Sequence, residues 1–131
     1  METQSLVERK LTELDAARLR KLLAAQPIPD LERLVDEADV VPGPQMDARV
    51  VTMYTQFELE EADGSRRVIA ICWPEDAEPA SGFISVLSPL GRAAIGLPCG
   101  AEVRWQAPGG EARARIADIL FQPEASGDYL T

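Results

Sequence analysis

Apolar residues follow two different periods along this chain. From Leu11 to Ala38 they recur at helical spacing. Thr12 is placed to cap a first helix, with Asp15 three residues on as a variant capping box and Leu11 and Ala16 as a hydrophobic staple. Ala16, Leu19, Leu22 and Leu23 then form an apolar stripe, which Pro27 and Pro29 interrupt. Asp30 can cap a second helix in which Leu31, Leu34, Val35 and Ala38 fall at i, i+3, i+4 and i+7. This pattern predicts an antiparallel helical hairpin, ended by Pro42-Gly43-Pro44. From Ala48 the period becomes two. Val51, Met53, Thr55, Phe57 and Leu59 alternate with more polar neighbours, as in a half-buried strand. Asp63-Gly64 supplies a hairpin turn, and Arg67 to Trp73 the return strand. A third strand is expected over Phe83 to Leu87, and a fourth over Glu102 to Gln106. Pro108-Gly109-Gly110 then lead into a final strand over about Ala112 to Phe121, where the run Ile116, Ile119, Leu120, Phe121 slips phase and predicts a bulge. Ser88 and Pro89 suit the cap and first position of a short helix that Gly96 closes. The order αα then β-β-β-α-β-β predicts an α+β chain, with a helical part over residues 1–43 and a five-stranded antiparallel sheet with one helix over 44–131.

Composition narrows the function. The chain has 131 residues, 46% of them hydrophobic, enough for one sizeable core. Formal charge is −9, from 22 acidic and 13 basic side chains. No basic stripe is present to meet a phosphate backbone, so direct sequence-specific binding of nucleic acid is not expected. An acidic membrane surface would repel the chain, whereas a basic protein surface would attract it. No apolar run approaches a membrane span, and the opening METQSLVERK lacks the layout of a secretion signal. A cytoplasmic location is expected. Cys72 and Cys99 lie outside any CxxC spacing; a disulfide is open to them on paper, and free thiols are the expectation. Histidine is absent, which removes His-based triads and His-containing zinc sites.

Candidate chemistry is sparse. Glu75, Asp76 and Glu78 could offer carboxylates to a metal but lack a calcium-loop spacing, and read as solvated loop charge. The glycines at 91, 96 and 100 match neither a dinucleotide fingerprint nor a phosphate loop. No GxSxG surrounds Ser81, Ser85 or Ser88. Trp73 and Trp105 read as core residues. The segment Ser88-Pro89-Leu90 has two readings: a helix cap, or a capped helix start that presents an exposed Leu90 to a partner helix.

A family resemblance adds weight to the second reading. The stretches VVTMYTQFELEE, WPEDA, ISVLSPLGRAAIGLPCG, PGGEA and QPEASGDYL, within Val50 to Thr131, resemble the regulator of nucleoside diphosphate kinase (Rnk) family, a branch of the Gre-type transcription elongation factors. The helical part, through LDAARL, is similar more loosely. The resemblance implies an N-terminal helical hairpin, a short coiled coil, followed by a domain of FKBP-like fold. It also implies binding to RNA polymerase at the rim of its secondary channel, on a coiled coil of the largest catalytic subunits. The docking residues it implies are Leu87, Ser88, Pro89 and Leu90, with Ser85 and Gly91 alongside.

Two departures from the Gre pattern shape the expectation. Cleavage-stimulating Gre factors carry acidic residues at the hairpin tip, whereas the turn here is Ala24-Ala25-Gln26-Pro27-Ile28-Pro29. About thirteen residues per helix reach only roughly 20 Å, and Gre-type arms are far longer. The expectation is therefore a monomeric, non-enzymatic regulator that needs no cofactor or metal, binds polymerase and competes with Gre factors without stimulating transcript cleavage. The alternatives are an FKBP-like prolyl isomerase, which fold alone supports weakly, and a true cleavage stimulator.

Overall fold

The structure, a computed structural model, describes residues 8–130. Its N-terminal helices spring from a small parallel pairing that the sequence pattern did not announce. Strand β1 (Lys10–Thr12) lies beside β2 (Asp39–Val41), with Lys10 opposite Asp39 and Thr12 opposite Val41. Between them run α1 (Glu13–Ala25) and α2 (Pro29–Glu37). Thr12 caps α1 as expected, its hydroxyl accepting from the Asp15 N–H at 3.0 Å; such a cap contributes about 1 kcal/mol. The second helix differs from the expectation. Ile28 is its N-cap, Pro29 takes the first position and Asp30 sits within the first turn. It spans 9 residues rather than about thirteen. Pro29 explains the shift, because its fixed φ and missing N–H suit the start of a helix. The helices touch, and Arg20 bridges to Asp36 at 2.8 Å.

The sheet holds five strands: β3 (Gln56–Glu61), β4 (Arg66–Cys72), β5 (Phe83–Ser85), β6 (Glu102–Ala107) and β7 (Gly110–Phe121), in the order β5-β4-β3-β7-β6. All neighbours are antiparallel except β4 and β5, which are parallel. A purely antiparallel sheet was expected; the Pro74–Gly82 loop, with 3₁₀ turns at Pro74–Asp76 and Pro79–Ser81, carries the chain back to the same end of the sheet before β5 begins. Strand β5 also stops at Ser85, two residues early, because Leu87 N–H turns back to Ser85 Oγ and Ser88 N–H to the Ser85 carbonyl. The hairpin turn at Asp63-Gly64 is present, with Gly64 at φ 89°. The phase slip in β7 is a double register shift against β3: Leu59 faces Ile116 and Phe57 faces Ile119, which leaves Ala117 and Leu120 as extra residues.

The long strand expected from Ala48 begins only at Gln56. Thr52 N–H donates to Thr55 Oγ1 at 2.9 Å and Thr55 N–H to the Thr52 carbonyl at 3.0 Å, closing a turn with Tyr54 at φ 66°. Val50, Val51, Thr52 and Met53 are all buried, so this stretch does not alternate as a strand would. Side chains of both helices and of the sheet join one hydrophobic cluster that includes Leu11, Leu19, Leu31, Val35, Phe57 and Ile116. Beyond β7 the C-terminal segment folds back over the 47–52 region. The Gln122 side-chain amide donates to the carbonyls of Asp47 (2.8 Å) and Val50 (2.9 Å), and Glu124 accepts from the Thr52 hydroxyl at 2.7 Å.

Candidate functional site

The candidate site is built on the step from β5 into α3 (Pro89–Ala94). A hydrogen bond from the Val86 N–H to the Cys72 carbonyl (2.9 Å) continues the pairing past β5, and Val86 is completely buried. The chain then reverses through a tight set of bonds. Ser88 Oγ donates to the Ser85 carbonyl at 2.7 Å and accepts from the Gly91 N–H at 3.0 Å, which makes it the N-cap of α3. Arg92 reaches back to the Leu87 carbonyl at 2.6 Å. Gly91 is required by contact rather than by dihedral freedom: a Cβ there would lie 2.0 Å from the Ser85 carbonyl oxygen and 2.9 Å from Val86 Cα. Helix and strand therefore meet backbone to backbone.

All six expected site residues lie in this one corner, and they are not equally available. Pro89 is exposed, whereas Ser85, Leu87 and Ser88 are half-buried. Gly91 is buried. Leu90 departs from its expected role. Its side chain is only 8% exposed and belongs to the core cluster, because Leu90 and Ala94, four residues apart, share the inward face of α3. Any apolar contact from this corner has to come from Pro89, with Leu87 beside it. The helix-cap reading of Ser88-Pro89-Leu90 holds: Ser88 is the cap, and Pro89 is the exposed residue beside it.

Pro89, Arg92 and Ala93 face an open groove of about 720 Å³, whose other walls include Leu34 of α2 and Trp105 of β6. The sequence pattern missed this feature. Trp105 follows Val103 at period two and so reads as core, yet it is only half-buried. The reason is length: the six residues of α3 span about 9 Å, and the six of β6 about 20 Å, so the helix leaves part of the strand uncovered. Trp73 is likewise half-buried, packed against the cluster with its indole N–H unpartnered.

Among the described residues the other acidic and cysteine side chains singled out by the sequence are scattered. Asp76 accepts from the Tyr54 hydroxyl, and Glu75 and Glu78 are exposed. Among the described residues no group of three or more acidic, cysteine or histidine side chains is placed to hold a metal ion. Cys72 and Cys99 are free thiols, the first buried and the second half-buried with Arg49 3.0 Å from its sulfur. No helix among the described residues is long and apolar enough to cross a membrane.

One buried charge stands out. Asp15 is 1% exposed, and its carboxylate accepts from the Met53 N–H at 3.2 Å. Burial pushes its pKa up from 3.8 to about 7, with the Met53 bond opposing the rise and the Glu124 carboxylate adding to it.

Comparison with known proteins places these features in a family. Residues 46–121 match the family model for the C-terminal part of the GreA/GreB transcription elongation factors. The chain is 34% identical over 128 residues to the regulator of nucleoside diphosphate kinase of Escherichia coli (strain K12), covering 92% of this chain and 94% of that protein. It is also 34% identical over 112 residues to the transcription elongation factor GreA of Chlorobium phaeobacteroides, covering 84% and 70%. Among solved structures, the GreA/GreB elongation factor from Nitrosomonas europaea superposes with a TM-score of 0.76 at 31% identity, over 87% of this chain and 98% of that one. On these grounds the chain belongs to the regulator of nucleoside diphosphate kinase (Rnk) family within the GreA/GreB transcription elongation factors.

Proposed function

We propose that this chain is a non-enzymatic, cytoplasmic, monomeric regulator that binds RNA polymerase at the rim of its secondary channel. In this reading an FKBP-like domain within residues 44–131 docks on a coiled coil of the largest catalytic subunits, and helices α1 and α2 of the 1–43 part, whose first seven residues lie outside the described ones, form a short antiparallel arm. The docking contact centres on Pro89, flanked by Leu87, Ser88 and Ser85, with Gly91 and Leu90 holding the helix in place from beneath. The acidic surface aids approach to a basic rim.

The observation that carries the reading is the shape of the arm. Its helices have 13 and 9 residues, reaching about 20 Å at most. The connecting stretch Ala24-Ala25-Gln26-Pro27-Ile28 has no carboxylate. An arm this short and without carboxylates at its turn supports the reading of a factor that competes with Gre factors without stimulating cleavage. The buried position of Leu90 also changes the test. Leu90→Asp would damage the core, whereas Pro89→Asp places a carboxylate at an exposed helix start, where it is favourable. Pro89→Asp is expected to abolish co-elution with core polymerase on size exclusion while leaving the circular dichroism spectrum unchanged. Wild-type protein should be displaced by a Gre factor and should release no short RNA from stalled complexes. Co-elution of the Pro89→Asp variant would reject the docking site; RNA release would reject the non-cleaving role.

A further inference from the structure

Helix α3 is too short to hold itself. Two turns cannot repay the cost of helix nucleation, and the last carbonyls of a helix have no partners within it. What fixes the far end of α3 comes from the other end of the chain. Arg9 Nη1 donates to the Ala93 carbonyl at 3.0 Å and to the Ile95 carbonyl at 2.8 Å. Immediately after it, Lys10 N–H donates to the Gly96 carbonyl at 3.0 Å, and Gly96 N–H donates to the Val51 carbonyl at 2.8 Å. Gly96 has φ 82°, and a Cβ there would come within 3.2 Å of the Arg9 side chain and 3.1 Å of the Lys10 carbonyl oxygen. The guanidinium is half-buried, and desolvation lowers its pKa to about 10, so it stays charged at neutral pH. A cation at a helix C-terminus is favourable, and hydrogen bonds from a charged donor are stronger than neutral ones. Arg9 also borders the groove that Pro89, Arg92 and Ala93 face.

We propose that Arg9 is a positioning residue for the docking helix: the base of the N-terminal segment grips the C-terminal end of α3, which sets the angle at which Pro89 is presented and couples the α1–α2 arm to the docking surface. The docking half of this inference rests on the reading of α3 given under the proposed function. The grip itself rests on the two bonds from Arg9.

The test uses the full chain with Arg9→Met, which keeps an unbranched stem and removes the donors, and Arg9→Lys, which keeps the charge and one donor group. Amide hydrogen exchange is followed by NMR at Arg92, Ile95 and Gly96, with Phe57, Leu59 and Ile116 in the sheet as internal references. In Arg9→Met the three amides around α3 should exchange about tenfold faster or more, the effect of losing charge-assisted bonds, while the sheet amides hold their rates. Arg9→Lys should recover part of the protection. Affinity for core polymerase should fall in Arg9→Met and be partly restored in Arg9→Lys. Unchanged exchange around α3 would overturn the proposal, and so would equal acceleration throughout the sheet, which would make Arg9 a general stabiliser. Selective loosening of α3 with undiminished polymerase affinity would uphold the grip and reject the docking role of α3.

Discussion

Replacing Asp15 by Asn should make this protein more stable at neutral pH, by an amount that grows with pH. The carboxyl group is 1% exposed, with its pKa raised from 3.8 to about 7, chiefly by burial. A raised folded-state pKa means that the native state holds a proton which the unfolded chain has already released. The associated stability is therefore fully present below pH 3.8, declines as pH rises, and is gone above about pH 7. The shift spans roughly three pH units at about 1.4 kcal/mol each, which sets a ceiling of about 4 kcal/mol. Local relaxation reduces this, so about 2 kcal/mol is a reasonable expectation at pH 8. Asparagine is neutral throughout and keeps an oxygen for the Met53 N–H. Urea unfolding of both proteins at pH 4, 5, 6, 7 and 8 compares them at each pH, so that titrations away from Asp15 cancel. The gap should open steadily between pH 4 and 7 and then level off. Parallel stability curves, or a gap that narrows as pH rises, would refute the reasoning.

Two further substitutions test the packing around the site. Gly91→Ala should destabilise the chain by on the order of 2–4 kcal/mol or displace α3, because the new methyl has only backbone to meet; an unchanged urea midpoint would disprove the backbone contact with Ser85. Gln122→Ala leaves the carbonyls of Asp47 and Val50 without their side-chain donor and should cost about 1–3 kcal/mol. Its effect should appear as faster amide exchange between Asp47 and Thr55, and equal protection there would refute the role of Gln122 as a tie.

Much of the fold was legible because local rules agreed with the final packing. Thr12 and Ser88 cap helices as their sequence contexts require, Asp63-Gly64 turns a hairpin, and the phase slip in β7 is a real pair of bulges. Local rules failed where distant residues decide. The stretch from Ala48 to Thr55 alternates like a strand, yet the Thr52–Thr55 bonds close it into a turn and the C-terminal Gln122 and Glu124 fasten it. The parallel pairing of β4 with β5, and of β1 with β2, joins segments separated by intervening chain, and no period in either strand encodes its partner. At the site, the residues the motif named share one corner of the fold. The motif could not tell that Leu90 faces inward, because a six-residue helix has too few positions to reveal its buried side.

The β1–β2 pair has a consequence for how the arm can vary. Lys10–Thr12 and Asp39–Val41 lie side by side, so the chain leaves and rejoins the body through a zipped two-lane footing. Everything between those lanes is an excursion from a fixed base. Turns could be added to or taken from both helices together without disturbing the strands that anchor them, or the Arg9 and Lys10 contacts next door. A long probe and a stub can thus share one pedestal, with reach altered independently of grip.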